Sequence, residues 1–239
     1  MKIYPHDPAP VLPRRRLGGF TLIELLAVIA VIGVLGAILV PAIYNTRDKA
    51  KTATTVNNLR QLQVANMTYA NMNGGDYVPL YAGDSPFSEG WKWNDRFLDY
   101  LGMQTPLTEA EKEAFRSGFW NENESRSLIG YSMYRTPANE HPWAANSAHT
   151  IKQSMIKNPT HLIAFIEAND WWASPYEFDN WESAAADDVS STSNYASVAY
   201  RNNGKAAAVT FDGAVIFLGR EDLGPHTPEG ARRWFYDAD

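Results

Sequence analysis

The stretch Gly18-Gly19-Phe20-Thr21-Leu22-Ile23-Glu24-Leu25-Leu26 opens a long apolar segment and sets a carboxylate, Glu24, inside it. From Leu25 to Thr46 no charged residue follows, and nearly every position to Ile43 is apolar. A charge held within a bilayer is costly even on lenient insertion scales. An apolar run of this kind therefore carries an acid only if the acid has a partner or a task. Three basic residues, Arg14–Arg16, stand immediately before the run.

The charge of the chain is divided at this point. Residues 1–19 carry a net +3, so the remainder of a chain with formal charge −6 carries −9. Lys and Arg remain on the cytoplasmic side of a spanning helix, which predicts a cytoplasmic N-terminus and a body on the far side of the membrane. An acidic body argues against sequence-independent nucleic-acid binding, because phosphate contacts need Lys and Arg. Cysteine is absent among the 239 residues, so disulfides and thiolate chemistry are excluded. The body must hold together by packing.

Residues 1–13 contain four prolines and read as an extended leader. Phe20 to Ile43 spans 24 residues, about 36 Å as a helix, enough to cross a bilayer core. Pro41 lies inside the pattern; it removes one helical hydrogen bond and predicts a kink rather than an end. Helical sequence resumes at once and runs to about Asn73, where Gly74-Gly75-Asp76 stops it. Val56, Leu59, Met67 and Ala70 make one apolar stripe, interrupted by Gln63, and Leu62, Ala65, Tyr69 and Met72 make a weaker one. Core packing on one face is the expectation; the sharper alternative has one face cover a sheet and the other meet neighbouring subunits.

Beyond residue 75 the texture changes to turns and short strands. A short aromatic helix is predicted over Trp91–Leu101. Another is predicted over Thr108–Ser117, where Thr108 and Glu111 have capping-box spacing. Strands are predicted at His161–Glu167, Tyr195–Arg201, Ala206–Phe211 and Ala214–Leu218. The last two flank Asp212-Gly213, which predicts a two-residue type I′ hairpin turn. The fold expected is α+β, a long N-terminal helix packed on a small, mainly antiparallel sheet. Its divisions are a basic leader 1–19, a transmembrane helix 20–43, an amphipathic continuation 44–74 and a globular head 75–239.

Three readings compete for the N-terminal run. A secretory signal peptide would have a small-residue cleavage site at Val40-Pro41-Ala42, but its apolar region would be about twice the usual 7–15 residues and hold a glutamate. A twin-arginine signal would use Arg15-Arg16, but leaves the glutamate unexplained. The third reading rests on Gly19-Phe20-Thr21-Leu22-Ile23-Glu24, which resembles the type III signal of type IV pilins and of the pseudopilins of type II secretion. The resemblance implies that a membrane aspartyl peptidase cuts between Gly19 and Phe20 and N-methylates Phe20. Only a residue without a side chain fits close to such a scissile bond. It further implies that Glu24, the fifth mature residue, draws the amino terminus of an adjacent subunit, each charge offsetting the other's burial. Pro41 falls where pilins carry a helix-bending proline.

A second resemblance lies in the body. Arg201-Asn202-Asn203-Gly204 followed by Ala208-Val209-Thr210-Phe211-Asp212-Gly213 is similar to a pilin-like group of planctomycete-type bacteria with a His, nine residues, then Asp-Gly. Asn202 stands in the histidine's place, so an imidazole role is unsupported. The five histidines make no helical pair with an acid, so no zinc site is expected. Asp187 and Asp188, in an acidic Ser-rich stretch, are the weak candidates for calcium; no EF-hand pattern accompanies them. No cofactor and no catalytic residue is expected. The resemblance implies a non-enzymatic structural subunit of a type II secretion pseudopilus or type IV pilus-like filament. Its implied partners are the peptidase/methyltransferase, other pilin or pseudopilin subunits and the inner membrane. The alternative is a membrane-anchored adhesion or ligand-binding protein that does not polymerise, with the Trp-rich loops as its surface.

Overall fold

The computed structural model describes residues 21–80, 91–118, 128–132, 151–169, 172–173 and 198–223. The chain divides into two units, 1–45 and 46–239. Helix α1, Leu22–Met72, is continuous across that division and runs uninterrupted through Pro41. Within the first unit its side chains are exposed, Leu22, Ile23, Ile32 and Ile38 among them. This helix is long and apolar enough to cross a membrane. Its part within the first unit, apolar on all sides, has no face suited to a water-facing surface.

Within the second unit the helix becomes one-sided. Leu59, Leu62, Ala65, Tyr69 and Ala70 are buried, while Val64 and Met72 are exposed. The buried face therefore combines parts of the two stripes seen in the sequence. Gln63 does not interrupt it; the residue is fully buried and its amide donates to the Phe211 carbonyl at 2.7 Å. The helix ends as the glycine pair predicts. Gly74 has φ +69°, and the Gly75 N–H returns to the Ala70 carbonyl at 2.8 Å, the long bond of a Schellman cap.

The sheet contains β1 (Leu128–Ser132), β2 (Ile163–Ala168), β3 (Trp172–Ala173), β4 (Ala206–Thr210) and β5 (Val215–Leu218). The order is β3-β1-β2-β4-β5; only β3 runs parallel to its neighbour β1, and the other pairs are antiparallel. The arrangement is α+β, a long helix with a small, mainly antiparallel sheet.

Strands β2 and β4 are buried along their whole length, which is why His161–Glu167 reads as a continuous apolar run rather than an alternating one. One sheet face (Ile129, Tyr131, Phe165, Ala207 and Val209) joins the buried face of α1 in a single core. The opposite face (Ile163, Ile166, Ala206 and Ala208) packs with Val198, Tyr200 and Leu223. Leu223 belongs to the short helix α4, Arg220–Leu223.

Three smaller elements complete the described part. Helix α2, Asp95–Tyr100, follows a 3₁₀ turn at Trp91–Trp93 and is capped by the Asn94 side chain. Helix α3, Glu109–Lys112, continues as a 3₁₀ turn to Phe115. Its predicted capping box is present: Glu111 N–H donates to Thr108 Oγ1 at 3.2 Å, and Thr108 N–H donates to Glu111 Oε2 at 2.7 Å. Trp91 is fully buried among Phe97, Phe115, Tyr131 and Phe165, at centroid distances of 5.1–6.0 Å. This tryptophan belongs to the core and not to a surface.

Two expectations need correction. Asp212-Gly213 is not a two-residue type I′ turn. Thr210 N–H donates to the Ala214 carbonyl and Gly213 N–H to the Thr210 carbonyl, both at 2.9 Å, so the loop is Phe211–Gly213. Gly213 has φ +92°, but Asp212 has no positive φ, which a type I′ turn requires at both central residues. The type I′ pattern occurs instead at Asn203-Gly204, with φ +52° and +78°. Asn202 and Lys205 exchange backbone hydrogen bonds of 2.9 and 3.1 Å across it. The predicted strand Tyr195–Arg201 is represented by one bridge, Val198 to Ala168, with residues 195–197 outside the described residues.

Candidate functional site

The first candidate site is the start of α1. Gly19 and Phe20 lie outside the described residues; Thr21 and Glu24 lie within them. Thr21 immediately precedes the helix, and Glu24 is its third residue. Thr21 N–H and Oγ1–H donate to Glu24 Oε2 at 2.9 and 2.7 Å, and Glu24 N–H donates to Thr21 Oγ1 at 3.3 Å. This is a reciprocal capping box. The spacing Thr-x-x-Glu is the same as at Thr108–Glu111, a signal present in the sequence itself. Glu24 thus has a local task within its own chain, satisfying orphan donors at the helix start.

The second candidate site is the seam between α1 and the sheet in the head. Its centre is Glu167 on β2, fully buried. A register shift between Ile163 and Phe165 places Ala164 and Phe165 both in the core on the helix side. Ordinary alternation from Phe165 then turns Glu167 to that same side. Its Oε1 accepts from Ser117 Oγ at 2.5 Å, and its Oε2 accepts from the Ala207 N–H at 2.9 Å and from Asn202 Nδ2. Burial pushes the carboxyl above its ordinary pKa, against the opposing effect of those donors and of Arg201.

The same cluster reaches α1. Thr52 Oγ1 donates to Asn202 Oδ1 at 2.8 Å, and the Gly118 N–H donates to Thr55 Oγ1 at 2.9 Å. Asn58 Nδ2 donates to the carbonyls of Glu113 and Arg116 at 2.8 and 3.0 Å, and Asn66 Oδ1 accepts from the Val78 N–H at 3.1 Å. A Cβ on Gly118 would lie 2.1 Å from the Lys51 carbonyl oxygen, so the chain passes the helix where only glycine fits. Polar residues on the buried face of α1 thus satisfy the loop backbone that crosses it.

Asn202 and Asp212-Gly213, paired by the sequence pattern, stand at the two ends of β4. Asn202 holds the carboxylate, while Asp212 Oδ1 accepts from the Ala214 N–H at 3.2 Å and stiffens the β4–β5 loop. They do not form one site. Among the described residues no group of three or more His, Cys, Asp or Glu could hold a metal. Asp187 and Asp188 lie outside the described residues.

Residues 14–40 match a family model described as a prokaryotic N-terminal methylation motif. The match supports a prepilin-like, type IV pilin-like chain with a methylation signal. It spans Gly19, Phe20, Glu24 and the apolar first half of α1, so motif and helix fall together. No curated protein and no solved structure matches the chain.

Proposed function

We propose that the chain is a structural subunit, cleaved after Gly19, N-methylated at Phe20 and assembled with other pilin or pseudopilin subunits. The observation that carries this reading is the methylation motif at residues 14–40, continuing into a helix whose apolar side chains are exposed on all sides. Before assembly the helix would sit in the inner membrane with the basic leader in the cytoplasm and the acidic head outside it. The lack of cysteine fits a pseudopilin-like or minor subunit better than a disulfide-looped major pilin. The pattern around Asn202 and Asp212-Gly213 supports placing the head near the planctomycete-type pilin-like group.

Cross-linking tests this reading against a non-polymerising anchor, and the absence of native cysteine makes it clean. Leu35 is 61% exposed in the apolar part of α1. In cells that hold the peptidase, Leu35→Cys labelled with a membrane-permeant maleimide photo-cross-linker, which needs no second cysteine opposite it, is expected to give covalent dimers on illumination. Monomers alone, with the chain correctly cleaved, would contradict assembly through this helix.

A further inference from the structure

We propose that the Glu167 carboxyl is a proton-operated latch on the seam between α1 and the sheet. The site can satisfy its hydrogen bonds with the carboxyl either charged or neutral. In the charged form, Ser117 Oγ–H donates to Glu167 Oε1 at 2.5 Å, and Thr55 Oγ1–H donates to the Lys51 carbonyl at 3.2 Å. Ser117 Oγ also lies 3.4 Å from Thr55 Oγ1. When Glu167 takes a proton from solvent on Oε1, that O–H donates to Ser117 Oγ. The Ser117 hydroxyl then turns its own hydrogen to Thr55 Oγ1, which has a second lone pair beside the one used by Gly118. Oε2 keeps both Asn202 and Ala207 throughout. One proton and one hydroxyl rotation therefore separate two fully bonded states.

The two states differ in electrostatic cost. Glu167 is fully buried, and an ion there has lost its hydration. What faces it is mostly neutral: the Thr52 and Thr55 hydroxyls on α1, Ser117 in the following segment, and the Ala207 backbone on β4. The turn before β4 contributes Asn202 and Arg201, and among the described residues Arg201 is the charged group that acts on the carboxyl. Arg201 Nη2 donates to Asn169 Oδ1 at 2.9 Å rather than to the carboxylate. The neutral form is thus favoured relative to an exposed glutamate, and the folded midpoint lies above the ordinary value. The stability it gives is complete below the unfolded midpoint and is lost as pH rises through the folded one. The latch is tight below the folded midpoint and slack above it, and what it secures is the attachment of α1 to the sheet through Thr52, Thr55, Ser117 and Asn202.

The test uses the full-length chain in detergent micelles. A Glu-selective ¹³C titration, with the signal assigned by its loss in Glu167→Gln, gives the midpoint directly. Glu167→Gln mimics the neutral form, since an amide both accepts and donates. As pH rises through the midpoint, the unfolding temperature of the natural chain should fall relative to that of Glu167→Gln. For every pH unit by which the folded midpoint exceeds the unfolded one, the folding constant should change about tenfold. The proposal is overturned by a Glu167 midpoint at or below the ordinary 4.5, or by parallel curves for the two proteins. If the variant does not fold, the Ala207 amide resonance of the natural chain reports the same midpoint alone.

Discussion

Glu24→Val is expected to leave the cut before Phe20 intact and to abolish ordered filaments or pseudopili. Two roles meet at this residue, and a second substitution separates them. Locally, Glu24 accepts from the Thr21 backbone and hydroxyl and so caps the helix. Between subunits, the carboxylate is proposed to draw the new amino terminus of a neighbour. Glu24→Gln retains the capping geometry, because glutamine serves at the third position of a capping box as glutamate does. It removes the charge that would attract an ammonium in a medium of low dielectric. If charge pairing organises the assembly, both variants fail to assemble while both are cleaved. If capping is the whole role, Glu24→Gln assembles normally in electron micrographs and Glu24→Val does not.

Trp91→Ala should cost the head about 3–5 kcal/mol, the range for emptying the site of a large buried aromatic. The indole has no solvent exposure and, among the described residues, contacts the rings of Phe97, Phe115, Tyr131 and Phe165. These partners come from α2, the turn after α3, β1 and β2, so the cavity would lie where four elements meet. A domain's whole stability is about 5–15 kcal/mol, and there is no disulfide to hold the parts. Chemical denaturation of the full chain should therefore show a midpoint far below that of the natural protein. Trp91→Phe, which leaves a smaller void, should fall between them. An unchanged midpoint for Trp91→Ala would remove Trp91 from the centre of the core.

The N-terminal half is legible because lipid burial and helix geometry leave few alternatives. An uncharged run of this length, a glycine pair at the end of its amphipathic continuation and a Thr-x-x-Glu cap are strong local signals. The α+β class follows from them and from the buried run at β2. Less legible is everything set by contacts distant in sequence. Strand β1 carries Gly130 and has no alternation long enough to stand out, so the sequence does not predict it. The buried helix face is hard to read because Asn58, Gln63 and Asn66 look like surface residues, yet they serve backbone groups from loops up to 148 positions away. Glu167 does carry a signal, an acid continuing a wholly apolar strand, much as Glu24 does in the apolar helix. The type I′ turn lies one hairpin earlier than Asp212-Gly213 suggests: Asn203-Gly204 is the pair that suits positive φ at both residues, and it takes that form.

As proposed, the chain is a prepilin whose leader ends at Gly19. Mass spectrometry of the N-terminus of the protein isolated from its own membranes tests this most directly. The mature chain is expected to begin with N-methylated Phe20. A chain beginning at Ile43, as an ordinary signal peptidase would leave it after Val40-Pro41-Ala42, would contradict it.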